Sequence, residues 1–240
     1  LLILQTDGWQ ALPYVWNAQQ TDAQLEIAGD FKVLSLLNPQ SNTTQNINYV
    51  VPDSNQCAAC HADNHSSAKL RPIGPRPRHL NKTYEYATGS FNQLQYWQQQ
   101  GVLTGLPPSS QLPILVPAFA DQGSLEDKAR AYLDINCGHC HNPKGAADTS
   151  ALFLQHDNKD LTHLGYCKPP VAAGRGAGDL KFAILPGQAE QSILHYRMLS
   201  LDPGQLMPEL GRSSVHEEGV ALIADWINAM PKGSADSPCL

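Results

Sequence analysis

Hydrophobic positions in the first 51 residues fall in short, loosely alternating runs: Trp9, Leu12, Tyr14 and Trp16, then Leu25 and Ile27, then Phe31, Val33 and Leu34. The turn-prone pairs Thr21-Asp22 and Gly29-Asp30 separate them. Alternation puts successive side chains on opposite faces of an extended chain, so this segment reads as short antiparallel strands. Residues 38–48 are rich in Asn, Gln, Ser and Thr and predict an exposed loop.

Beyond residue 52 the period lengthens to that of a helix. Phe91, Leu94 and Trp97 share one face of a helix predicted over 91–100, with Ser90 capping its start and Gly101 its end. Upstream, the three prolines of Leu70-Arg-Pro-Ile-Gly-Pro-Arg-Pro-Arg78 exclude a regular helix, because each fixes the backbone and removes a donor. Ser124-Leu-Glu-Asp127 opens a second helix, buried along Leu125, Ala129, Tyr132 and Leu133, that runs into Cys137. Residues 189–200 also read as helical. Ser214-x-x-Glu217 forms a full capping box ahead of Val220, Ile223, Ala224 and Ile227 at helical spacing.

These patterns divide the chain into a small β-rich segment at 1–51 and two regions at 52–120 and 121–240, and they predict a mainly α fold. The 240 residues suffice for one large domain or two small ones. Only 16% of residues are charged, and 18 Gly with 18 Pro indicate a loop-rich, compact protein. A net charge of −6 without a basic patch argues against a nucleic-acid partner. No apolar run approaches the roughly 18 residues of a membrane span. Leu1-Leu-Ile-Leu4 is too short for a signal-peptide core and lacks a basic flank, so the chain reads as processed or truncated.

The chemistry sits in a pentapeptide that occurs twice, Cys57-Ala-Ala-Cys60-His61 and Cys137-Gly-His-Cys140-His141. C-x-x-C-H is the attachment signature of c-type haem. The two thiols add across the porphyrin vinyl groups, and the adjacent His supplies the proximal iron ligand. A compact zinc ribbon would separate its CxxC pairs by roughly 15–20 residues. Here the separation is about 80, and zinc leaves both following histidines unexplained. A dithiol redox motif would need a βαβ context that neither pair has. Covalent haem implies export, and the remaining Cys167 and Cys239 fit that compartment either as a disulfide or as buried thiols.

For the second haem, His141 is the proximal ligand and Met207, in a Met-Pro pair before the last helix, is the candidate distal one; the alternative is a Met that fills core. Met198 reads as packing, and His139 should point away from the iron. For the first haem, His61 is proximal and no Met precedes Cys137, so the sixth ligand stays open. His79 is the leading candidate. His65, one turn from His61, is a poor one, and Met198, Met230, His195, a partner chain or no ligand complete the alternatives. Arg71 and Arg76, with Arg78, either belong to a solvated loop or pair with haem propionates, for which a guanidinium fork is suited. Arg197 and Arg212 are further propionate candidates.

The order helix, CxxCH, long loop, Met-Pro and final helix is similar to class I cytochrome c domains. Cys57-Ala-Ala-Cys-His61, Leu70-Arg-Pro-Ile-Gly-Pro75, His79-Leu-Asn81, Asn92-Gln-Leu94, Asn136-Cys-Gly-His-Cys-His-Asn142, Cys167-Lys-Pro, Val171-Ala-Ala-Gly174, Met207-Pro-Glu-Leu-Gly211 and Val215-His-Glu-Glu218 resemble a family of secreted bacterial dihaem c-type cytochromes. The resemblance runs from about Trp9 to near the end. It implies two cytochrome c-like haem-binding regions, two covalent haem c groups and a periplasmic or extracellular location. Because family genes often neighbour one for a secreted parallel β-helix protein, that protein is a candidate partner, beside redox donor and acceptor proteins and a second copy of the chain. The leading functional expectation is an electron carrier whose haems form a short wire. The alternatives are a dihaem peroxidase with an open first haem, and a sensing or anchoring role in which residues 1–51 are an interaction module.

Overall fold

Residues 1–51 form three successive antiparallel hairpins: β1 (Leu2–Gln5) with β2 (Gly8–Ala11), β3 (Tyr14–Trp16) with β4 (Ala23–Leu25), and β5 (Asp30–Asn38) with β6 (Thr43–Val51). The computed structural model describes residues 1–38, 42–67, 69–231 and 239. In the long hairpin Asp30 opposes Val51 and Leu37 opposes Thr44. The predicted loop therefore gives way to a strand from Thr43 onward, while residues 39–41 lie outside the described residues. The polar Thr44, Gln45 and Asn46 do not prevent this, because the strand ladder pairs backbone groups and a strand open to solvent tolerates polar side chains.

The first CxxCH motif forms a short helix, α1 (Cys57–His61), and α2 (Pro77–Leu80) follows the proline-rich loop, with Pro at its start where a missing N–H costs nothing. A further hairpin, β7 (Thr83–Tyr86) with β8 (Gly89–Asn92), leads directly into α3 (Gln93–Gln99). Ser90 and Phe91 thus belong to a strand, and the cap is Asn92, whose side chain accepts the Gln95 N–H at 3.3 Å. A mainly α fold is not what forms: 27% of the protein is helical and 20% is strand, in small antiparallel sheets. Hairpins extend past residue 51 into the first motif's region, and the Gly- and Pro-rich connections hold the helices short.

The core lies in the second region. The helix α4 (Leu125–Asn136) begins as predicted, with Ser124 Oγ accepting the Asp127 N–H at 3.0 Å. The final helix α6 (Glu217–Ala229) starts after His216 with no side-chain cap, so Ser214 of the predicted capping box lies outside it. The predicted helix over 189–200 is split into a 3₁₀ turn at Ala189–Gln191 and α5 (Ile193–Leu199). Ser192 breaks it: its hydroxyl donates to Gln188 O and accepts from Leu185 N, both at 2.9 Å, offering the backbone a local alternative to the helix.

Ala129, Tyr132 and Leu133 of α4 meet Val220, Ile223, Trp226 and Ile227 of α6, with Leu194 and Met198 of α5 closing the cluster. Each fully buried Leu or Ile here contributes roughly 1.5–3 kcal/mol by leaving water. Gly219 lies directly beneath the Tyr132 ring, where any Cβ would overlap the phenol. A disulfide joins Cys167 to Cys239, closing one of the alternatives left open by the sequence.

Candidate functional site

The two CxxCH motifs adopt one local arrangement although their surroundings differ. Spacing of three places both thiols of a motif on one face of a helical turn. In the first motif that turn is α1; in the second it is an unfinished turn after α4, with His141 N–H donating to Cys137 O at 2.9 Å. Gly138 lets the second motif approach the chain at Gln155 and the end of α4: a Cβ would sit 2.9 Å from Asp134 O. The four motif thiols are all free of disulfides.

Each terminal histidine is oriented by a backbone carbonyl further along the chain. His61 Nδ1 lies 3.1 Å from Arg71 O, and His141 Nδ1 lies 3.2 Å from Leu152 O. A carbonyl only accepts, so Nδ1 carries the proton in both rings and Nε2 keeps its lone pair for a metal. Backbone bonds return to the same histidines, from Arg71 N to His61 O at 2.7 Å and from Leu154 N to His141 O at 2.9 Å. Arg71, expected to act through its guanidinium, thus supports His61 through its backbone, and its side chain is exposed. Burial pushes the pKa of His141 down to about 4, so its imidazole is neutral at physiological pH, the form that ligates.

A cavity of about 310 Å³ opens against the second motif. Cys137, Cys140 and His141 line it together with Met207, so the candidate proximal and distal ligands share one space. Leu152, Leu154, Ile193, Leu194 and Met198 make much of the wall apolar, while Lys168 and Arg197 supply positive charge. Arg197 is held by Gln205 O (2.9 Å from Nε) and by Glu209 (3.3 Å from a terminal nitrogen). Arg212 donates through its two terminal nitrogens to the carbonyls of Met198 and Ser200 at the end of α5, while its Nε is buried without a partner. Met198 and Met230 pack in the core cluster. The donor set fits a covalent haem at this motif: two free thiols, a neutral imidazole, a thioether on the same cavity, an apolar wall and cations for carboxylates.

The remaining candidates of the first region converge elsewhere. Arg78 grips the buried Asp134 with two bonds of 2.8 and 2.7 Å, His79 Nε2 lies 2.7 Å from the same carboxylate, and Arg76 approaches it at 3.6 Å. The backbone N–H of His156 adds a fourth partner at 3.0 Å. The nitrogen His79 would offer an iron is therefore engaged by Asp134. Burial alone would raise the Asp134 pKa, but the Arg78 bonds, the His156 N–H and His79 outweigh it and hold the carboxyl below its usual range. His65 is likewise committed, to Lys144 O through its backbone (3.0 Å) and to Asp148 through Nδ1 (3.1 Å).

The two motifs meet. Cys60, His139 and Cys140 place their ligand atoms within 4.8 Å of one another, and Cys140 Sγ lies 3.4 Å from Ala59 O. The hydrogen bond from Cys140 and the one from His139 lower the Cys60 pKa, while the same contact raises that of Cys140. Burial pushes the Cys137 thiol up to about 12. His139 Nδ1 is buried without a hydrogen-bond partner.

Asp134 and Lys168 escaped the sequence reading. Asp134 had a signal: an acid on the buried side of a helix, in a chain whose proline-rich loop carries three arginines with no acid nearby. Lys168 had none, since it lies in an irregular loop without periodicity. Comparison with protein-family models, curated proteins and solved structures found no match to this chain.

Proposed function

We propose that the chain is a dihaem c-type cytochrome that carries electrons between redox partners outside the cytoplasm. The observation that carries this reading is the shared geometry of His61 and His141: each has Nδ1 on a carbonyl, at 3.1 and 3.2 Å, and each follows two free thiols on the same turn. A dithiol site would not require both histidines to be presented in this way, and a single zinc bound by the four thiols would leave both of them unused. Bound haem would supply an Fe(III)/Fe(II) couple whose potential the protein tunes through ligands, burial and charge.

The chain's own residues define the rest. His141 and Met207 would face the iron from one cavity, Arg71 O and Leu152 O would fix the proximal rings, and Lys168 and Arg197 would offset propionate charge. The Cys167–Cys239 disulfide is consistent with an oxidising compartment. Among the described residues no helix is long and apolar enough to cross a membrane.

A second reading draws on the trio Cys60, His139 and Cys140, an S₂N set with an unpartnered buried nitrogen that would suit a soft or borderline metal ion. The test is to secrete the protein from cells equipped for haem attachment, count metal per native chain, and then denature it and count the haem that stays covalently bound. Two haems are expected, falling to one when Cys57 and Cys60, or Cys137 and Cys140, are replaced by Ser. No covalent haem, with one zinc or copper retained, would replace the first reading by the second. With both haems attached, a high-spin ferric signal would favour peroxide or gas binding over electron carriage.

A further inference from the structure

We infer that the two haems are held as one electronically coupled pair, joined where Cys60 and Cys140 meet. The inference rests on the haem reading of both motifs and adds which parts of them face each other. The contact is formed by residues about 80 positions apart in sequence, yet the two sulphurs and the His139 ring lie within 4.8 Å. Ala59 O accepts from Cys140 Sγ, so the backbone of one motif touches the thiol of the other. Ala59 and Cys60 also line the cavity that holds His141 and Met207, making the first motif a wall of the second motif's site.

The segments just beyond the motifs are tied as well. His65 N–H donates to Lys144 O at 3.0 Å, and the His65 ring meets Asp148 at 3.1 Å. These contacts, with the one at the junction, hold the two turns against each other. Haems held through these two thiols would be attached at neighbouring points of the fold. Charge placed on one centre is then felt at the other across a partly buried junction, where Coulomb interactions are less screened than in water. With haem held by Cys60 and by Cys140, the first electron to enter would make the second harder to add, and the contact between the two motifs would give it a route from one centre to the other.

The experiment is electron paramagnetic resonance of the secreted full chain, on samples whose covalent haem has been counted. The fully oxidised protein should integrate to less low-spin intensity than two isolated haems give. Reduction by one electron per chain should restore a single unperturbed signal. Two additive signals at full intensity, unaffected by reduction of the neighbour, would overturn the coupled pair and leave the haem reading standing. A count below two haems per chain would instead overturn the haem reading and the pair with it.

Discussion

Met207 shows how far one side chain can be followed. It lies outside the regular helices, shares a cavity with His141, and has its backbone N–H fixed to Arg197 O at 3.0 Å. A thioether opposite an imidazole stabilises the reduced iron more than a second imidazole does. Met207→His should therefore lower the potential of one haem by a fraction of the roughly 0.8 V that axial ligation spans, and leave the other within a small shift. Potentiometric titration checks this; an unchanged pair of potentials would remove Met207 from the coordination sphere. The sequence signalled Met207 through its Met-Pro pair. It could not show that His79, the leading candidate for the sixth ligand of the first haem, has its Nε2 on Asp134 at 2.7 Å, because that contact bridges 55 positions.

At the scale of elements, the crossing of α4 and α6 holds the second motif in place, since α4 ends where Cys137 begins. Gly219 is the point of closest approach, beneath Tyr132. Gly219→Ala raises helix propensity but forces a methyl into an occupied space, and overpacking of this kind costs about 1–3 kcal/mol. The expected result is a lower thermal midpoint, with haem spectra shifted only if α4 moves; a midpoint equal to or above that of the native chain would show that the helices part without strain. Both helices were legible from their periodicity and the Ser124 cap. The start of α6 was not, because a Ser-x-x-Glu pattern marks a cap only if the chain turns there, and here it turns two residues later.

For the whole molecule, Asp134 is the clamp between the regions that carry the two CxxCH motifs. Arg76, Arg78 and His79 reach it from the first, while it stands on the helix that feeds the second motif. Its folded pKa lies below the ordinary carboxylate value, so its contribution is complete at neutral pH. That contribution is lost as pH falls below the ordinary value and through the folded one. Asp134→Asn should cost about 3 kcal/mol at pH 7, because Arg78 is left without its partner. Urea denaturation across a pH series should show the gap between native and variant proteins closing towards acid; a gap constant with pH would mean the carboxylate is not the stabilising form. The disulfide between Cys167 and Cys239 adds a second long-range tie, over 72 residues.

Local pattern along the chain was enough to place the two CxxCH motifs, the strands of the N-terminal segment and the helices that frame the core. Those features depend on neighbours within a turn or a hairpin, so periodicity and spacing record them. The balance of helix and strand was misjudged: β6 pairs through backbone groups despite its polar side chains, and the strand-prone Thr83-Tyr-Glu-Tyr86 of β7 was passed over in favour of the helical spacing at Phe91, Leu94 and Trp97. Tertiary packing alone brings Arg76, Arg78 and His79 onto Asp134, turns Lys168 to the cavity, and sets Cys60 against Cys140. Each of these joins residues far apart in the chain, and their partners are set by how the regions pack, which no local pattern encodes.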